Sequence, residues 1–218
     1  LFFASQAGLP AAAKLRDSIA EKMTPQELGK AENRIGFFYH RGLGVPQSYS
    51  EARTWYQESA KHDYVGAYYN LGLLYQYGLG VPEDRKEAMK WYLKAAKRGF
   101  GIAQNNLAGI YQKGVSGKQD YSKAIKWYRK SAEQGVVSAE TNLGLMYYSG
   151  LGTEQDYVQA KYWLSLAADR GHGRAYDALG RIYLLGLGVD QDAVTAYKWF
   201  YLAVRSGYLL AQEGLTIV

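Results

Sequence analysis

Apolar residues along this chain fall on helical stripes, and the stripes themselves recur every 36 residues. Counting from Ala31, the first position of each copy is Ala31, Ala67, Ala103, Ala139 and Ala175, with Ala211 opening a partial sixth. The fifth is apolar in every copy (Ile35, Leu71, Leu107, Leu143, Leu179, Leu215), and the ninth is always Tyr (Tyr39, Tyr75, Tyr111, Tyr147, Tyr183). Steps of four residues place these positions on one face of an α-helix, here called helix A. The sixth position is Gly or Ala (Gly36, Gly72, Ala108, Gly144, Gly180), so a neighbouring helix can come close there. The twelfth is always Gly (Gly42, Gly78, Gly114, Gly150, Gly186) and predicts the end of helix A, where a left-handed residue is required.

A second helix, helix B, follows a short glycine-rich turn such as Gly78-Leu79-Gly80-Val81-Pro82. Its start is marked at position 18 by Ser48, Asp84, Asp120, Asp156 and Asp192, each able to cap the free N–H groups of a first turn. Ser48 with Glu51 and Asp84 with Glu87 also fit a capping box. Ala52, Ala88, Ala124, Ala160 and Ala196 stand three residues before Trp55, Trp91, Trp127, Trp163 and Trp199, the five tryptophans of the chain, and predict a buried stripe. Gly99, Gly135, Gly171 and Gly207 close helix B. The third turn, Gly114-Val115-Ser116-Gly117-Lys118, shifts its second Gly by one place and predicts a locally altered turn.

The pattern A-x3-L-G-x2-Y-x2-G-x-G-V, a capping Asp, then A-x2-W-Y-x2-A-A-x2-G closely resembles the Sel1-like repeat family, relatives of tetratricopeptide repeats. The resemblance implies an all-α fold, a right-handed α-solenoid of helix-turn-helix units, in five copies over 31–66, 67–102, 103–138, 139–174 and 175–210. Residues 211–218 then begin a sixth repeat or a truncated cap. Residues 1–30 are out of phase: Leu1–Gly8 reads as the tail of a helix B, Pro10–Met23 as helical, and Thr24-Pro25-Gln26-Glu27 as a strong helix start. Both ends are therefore expected to continue into further repeats of a longer protein, as the start at Leu1-Phe2-Phe3 also implies. One branch of the family pairs cysteines within repeats; this chain has no Cys and does not belong there.

Composition changes this picture little. A net charge of +6 admits an acidic partner, and the absence of a long apolar run leaves membrane contact at most indirect. His40, His62 and His172 occupy unrelated repeat positions, so no metal or catalytic role is expected. The Gly-Leu-Gly turns lack the strand and the Lys-Ser/Thr of a phosphate loop, so no cofactor is expected. The lysines and arginines of helices B (Lys86, Lys90, Lys94, Lys97, Arg98, Lys123, Lys126, Arg129, Lys130) read as a solvated convex back, and nucleic-acid binding is not expected. No enzyme is expected either.

What remains variable is helix A, which in such solenoids lines the concave groove. Position 4 reads Arg34, Asn70, Asn106, Asn142 and Ala178. A row of asparagines can donate to and accept from the backbone of an extended peptide, although the same residues also suit local bonding within the repeats. Beside it stand Asn33, Tyr69, Leu73, Gln76, Tyr77, Asn105, Gln112, Leu145, Tyr148 and Arg181, with His40 and Lys113, a mixture suited to a protein partner. The expected function is a non-enzymatic scaffold or adaptor holding a protein or extended peptide in this groove. The alternatives are an immunity-type inhibitor of a toxin or hydrolase, and an envelope protein binding cell-wall glycan. The resemblance favours a periplasmic or secreted bacterial location.

Overall fold

The computed structural model describes residue 18, residues 20–114 and residues 117–217, and among them every regular element is a helix. The helix expected over Leu1–Gly8 and most of that over Pro10–Met23 lie outside the described residues, as does the centre of the third turn, Val115-Ser116. The described end of the second is a turn over residues 21–23, closed by the Met23 N–H on the Ala20 carbonyl at 3.1 Å, where a helix is expected. The chain divides into two compact units, Leu1–Arg98 and Gly99–Val218, a division the repeat pattern does not foreshadow. In the first, α1 (Pro25–Arg41) and α2 (Tyr49–Lys61) form one helix A and helix B pair, and α3 (Val65–Tyr77) and α4 (Arg85–Lys97) a second. The second holds α5 (Gly101–Lys113) with α6 (Tyr121–Ala132), α7 (Val137–Ser149) with α8 (Tyr157–Ala168), and α9 (Gly173–Leu185) with α10 (Ala193–Arg205). A 3-10 turn (Leu209–Ala211) and α11 (Gln212–Ile217) follow. The fold is all-α, of the α-solenoid class, stepping every 36 residues.

Each boundary has a local cause. Gly42, Gly78, Gly114, Gly150 and Gly186 all sit in the left-handed region, with φ from 64° to 71°, and terminate helix A as the sequence requires. The side chains of Ser48, Asp84, Asp120, Asp156 and Asp192 accept N–H bonds from the first turn of helix B, and each such cap stabilises its helix by about 1 kcal/mol. The capping boxes expected at Ser48 and Asp84 do not form. The backbone N–H that a Glu would bind is already donated to the carbonyl of the position-9 Tyr: Ser48 to Tyr39 at 3.0 Å and Asp84 to Tyr75 at 2.9 Å. The same bond recurs from Asp120 to Tyr111, Asp156 to Tyr147 and Asp192 to Tyr183, so it closes every glycine-rich turn. Among the described residues only Thr24 and Glu27 complete a reciprocal box, at the start of α1.

The seam between helices A and B is filled by position 26. Tyr56 and Tyr92 are fully buried in the first unit; Tyr128, Leu164 and Phe200 occupy the equivalent places in the second. This explains the small residue at position 6. A Cβ on Gly72 would stand 2.5 Å from the Tyr92 ring, and one on Gly144 would stand 2.7 Å from the Leu164 Cγ. The tryptophans, expected to be the packing residues of helix B, are only half buried and pack at the margin of the core. Trp91 stacks on Tyr68 at 6.0 Å with the Lys94 ammonium 4.2 Å from its ring centre, and Trp199 stacks on Tyr176 at 5.7 Å.

Candidate functional site: the helix A face

Within each unit helices A of successive repeats meet: α1 packs on α3 and α7 on α9, and asparagine bonds tie α3 to α1 and α7 to α5. The Asn70 side chain donates to the Asn33 amide oxygen at 2.9 Å in the first unit. In the second, Asn142 donates to Asn105 at 3.3 Å and Asn105 donates to Asn106 at 3.3 Å. The repeating bond thus joins position 4 of one repeat to position 3 of the repeat before, a spacing of 37 residues. The expected row of position-4 asparagines is therefore tied sideways, into the neighbouring helix. Each bond uses one amide hydrogen and one oxygen lone pair out of an Asn's two and two, so every amide keeps capacity for a ligand.

The other expected residues separate into two kinds. Gln76 and Gln112 point inward: their amide oxygens accept from the hydroxyls of Tyr92 at 2.7 Å and Tyr128 at 2.8 Å. Leu145 packs against the core, and Tyr69 tilts over Tyr92 with ring centres 6.0 Å apart. Exposed are Tyr77, Lys113, Arg181 and Arg34, whose guanidinium lies 5.7 Å from the Phe38 ring centre; Leu73 is half buried. Tyr148 meets Tyr157 edge-on at 5.6 Å and feels the charges of Asp177 and Arg181. On α9, Arg181 Nε bonds Asp177 Oδ2 at 3.1 Å, and that hydrogen bond raises the guanidinium pKa further.

Each histidine has a neighbour within the repeats. His40 Nδ1 faces the Tyr56 hydroxyl at 3.5 Å, His62 lies 3.6 Å from Glu32, and His172 Nδ1 pairs with Thr141 Oγ1 at 2.9 Å. Burial, with a cationic neighbour second, holds His40 and His172 below the ordinary imidazole pKa. Among the described residues no group of three or more His, Asp or Glu is placed to hold a metal ion, and no helix is long and apolar enough to cross a membrane.

A family model, the Sel1 repeat, matches residues 29–64, 65–100, 101–136, 137–172 and 173–208. The chain belongs to the Sel1 repeat family. A Sel1 repeat protein from Oxalobacter formigenes has a similar structure at 32% identity and a TM-score of 0.81, with 97% of this chain and 85% of that one covered. A protective antigen present in uropathogenic Escherichia coli strains, displaying an SLR fold, is 35% identical with a TM-score of 0.82 over 88% of this chain. The chain spans 43% of that antigen's length. An immunity protein from Pseudomonas aeruginosa, at 21% identity, a TM-score of 0.53 and cover of 87% and 68%, shares the fold alone. No curated protein sequence matches the chain. Sel1 repeats typically mediate protein interactions.

In this Sel1 repeat chain two further pairings escape a position-by-position reading. Position 10 serves position 26 across the seam: His40 with Tyr56, Gln76 with Tyr92, Gln112 with Tyr128. Position 2 meets position 32, where helix B ends: Glu32 with His62, Tyr68 under the Arg98 guanidinium, Gln104 with Gln134, Glu140 with Arg170. The signal lay in comparing copies. At positions 2 and 32 both members change together from repeat to repeat, and at position 10 a polar residue stands wherever position 26 is Tyr.

Proposed function

We propose that this chain is a non-enzymatic interaction scaffold that holds a protein or an extended peptide against its helices A. The observation that carries this reading is the asparagine network, Asn33–Asn70 in one unit and Asn105–Asn106–Asn142 in the other. Amides fixed by neighbouring amides are pre-organised, so a ligand backbone meets donors and acceptors already in place and less ordering cost opposes binding. The Sel1 repeat family, whose members generally act as protein-interaction scaffolds, supports the same class of function.

The test is a comparative affinity purification. The wild-type chain and an Asn105→Ala/Asn142→Ala variant are used as bait in the same bacterial extract, after circular dichroism shows equal helix content. A partner recovered by the first and lost by the second supports the reading. Equal recovery of the same partner by both places binding off the helix A face and sinks it.

A further inference from the structure

The charges on the helices A of the second unit are sorted by burial. On α5, α7 and α9 every exposed one is positive, Lys113 on α5 and Arg174 and Arg181 on α9, while the short α11 that follows carries the exposed acid Glu213. The acids of α7 and α9 are both buried and neutralised locally. Glu140, 1% exposed, bonds Arg170 at 2.7 Å, and Asp177, 8% exposed, bonds Arg181. On α5, α7 and α9 an incoming ligand therefore meets cations and neutral polar groups, with the carboxylates of those helices hidden beneath them.

Arg174 and Arg181 stand seven residues apart on one helix. Two turns of α-helix bring them to the same face about 10 Å apart. Asp177, between them, fixes Arg181 through Nε alone and leaves the two Nη groups of the fork directed elsewhere. Arg174 makes one long contact, 3.4 Å to the Asn142 amide oxygen. Beside it lies an open depression of about 490 Å³ whose lining includes Ser138, Asn142, His172, Arg174 and Tyr208 and no carboxylate. His172 is held toward its neutral form by burial, so Arg174 dominates the charge there. Tyr148 and Tyr208 lie within electrostatic reach of Arg181, and their hydroxyls are further donors.

We infer that the α7–α9 face of the second unit binds an acidic protein segment, with Arg174 and Arg181 pairing two of its carboxylates about 10 Å apart and Ser138, Asn142 and Tyr208 taking its backbone. This rests on the scaffold reading above and names the chemistry of the ligand. A carboxylate on each arginine matches the guanidinium fork in geometry and charge. An extended segment rises about 3.1–3.3 Å per residue, so acids three apart span the gap.

The test uses fluorescein-labelled 12-residue peptides, one with Glu at every third position among Gly and Ser, one with Gln in those places, and a 12-base-pair DNA duplex. Fluorescence anisotropy with the whole chain should show binding of the Glu peptide that weakens with salt, and at least tenfold weaker binding of the Gln peptide. Arg174→Gln and Arg181→Gln should each reduce Glu-peptide affinity about threefold to tenfold, as expected for partly exposed ion pairs. Lys86→Gln/Lys90→Gln on α4 should leave it unchanged. Equal loss from the α4 variant would overturn the inference, because the peptide would then be reading the general positive field. Tighter binding of the duplex than of the Glu peptide, lost in the α9 variants, would overturn it in favour of nucleic acid. No Glu-peptide binding, with a native partner still captured through Asn105 and Asn142, would remove the acidic chemistry and leave the scaffold reading standing.

Discussion

Repeats 3 and 5 of the second unit fill the same seam with opposite chemistry. In repeat 3 Tyr128 is 2% exposed and its hydroxyl bonds Gln112, so position 10 is committed inward. In repeat 5 Phe200 is 1% exposed, and position 10 is Leu184, which packs against it. Repeat 4 lies between: Leu164 fills the seam, and position 10 becomes Tyr148, which reaches Tyr157 and the Arg181 environment. The comparison teaches that a buried tyrosine pairs position 10 with its hydroxyl, whereas an apolar seam residue leaves position 10 to pack on the core, as Leu184 does, or to meet a neighbouring ring, as Tyr148 does. Repeats 1 to 3 follow the first rule; repeats 4 and 5, which carry Arg174 and Arg181, follow the second.

The strongest way to break this comparison is to empty the seam. Tyr128→Ala should cost about 3–5 kcal/mol, because a large buried ring leaves a cavity that the close-packed helices cannot fill. Phe200→Ala should cost a similar amount. Urea unfolding reads both, and a cost under about 1 kcal/mol for either would show that position 26 is not what holds helices A and B together.

Next comes the polar half of the pair. Gln112→Leu strands the Tyr128 hydroxyl and should cost about 1–3 kcal/mol, whereas Gln112→Leu/Tyr128→Phe copies the repeat 5 solution and should recover most of that loss. A double variant as unstable as the single one would mean that the two positions act independently. The same pair sets an alkaline limit. Burial pushes the Tyr128 phenol up to about 12, above its ordinary value of 10. The native state thus holds that proton more tightly than the unfolded chain does. Its contribution is complete below pH 10 and is lost as pH rises toward 12. Stability measured over that window should fall less steeply after Tyr128→Phe.

A smaller effect is expected where position 2 meets position 32. Arg170 is 43% exposed and Glu140 is 1% exposed, so Arg170→Ala should cost about 1–2 kcal/mol, less than breaking a wholly buried pair. Burial already raises the Glu140 pKa, with Arg170 opposing, so the variant raises it further. A raised carboxylate pKa favours the folded, protonated form, and the penalty should therefore shrink as pH falls from 7 toward 5. Glu140→Gln/Arg170→Gln reproduces the Gln104–Gln134 pair of repeat 3 and should be less costly than Arg170→Ala at pH 7. A penalty that does not change with pH would remove Glu140 from the explanation.

Much of the scaffold is legible one residue at a time. Gly42 and its four counterparts need positive φ, and Asp84, Asp120, Asp156 and Asp192 need only their own carboxylates to start helix B. Such signals are local, so a single copy reveals them. The seam and the asparagine bonds are not local. Tyr128 and Gln112 stand 16 residues apart, and Asn142 reaches Asn105 across 37. Gln76 and Gln112 read as surface residues because Gln is polar, and the phenol that draws each inward is apparent only when position 10 is compared with position 26. Trp55 and its counterparts mislead in the opposite sense. Their regular spacing reads as core, yet position 26 is the buried one and the indole packs at the margin. The division after Arg98 has no sequence signal, because the repeat runs through it in phase.

The central claim is that partners bind the helix A face, and site-specific photocrosslinking tests it most directly. A photoreactive phenylalanine is placed at Ser138, beside the depression on α7 and α9, and separately at Lys126, exposed on helix B of repeat 3. The account predicts that illumination yields a crosslinked partner from position 138 and none from position 126. A crosslinked partner from position 126 with none from 138 would contradict it.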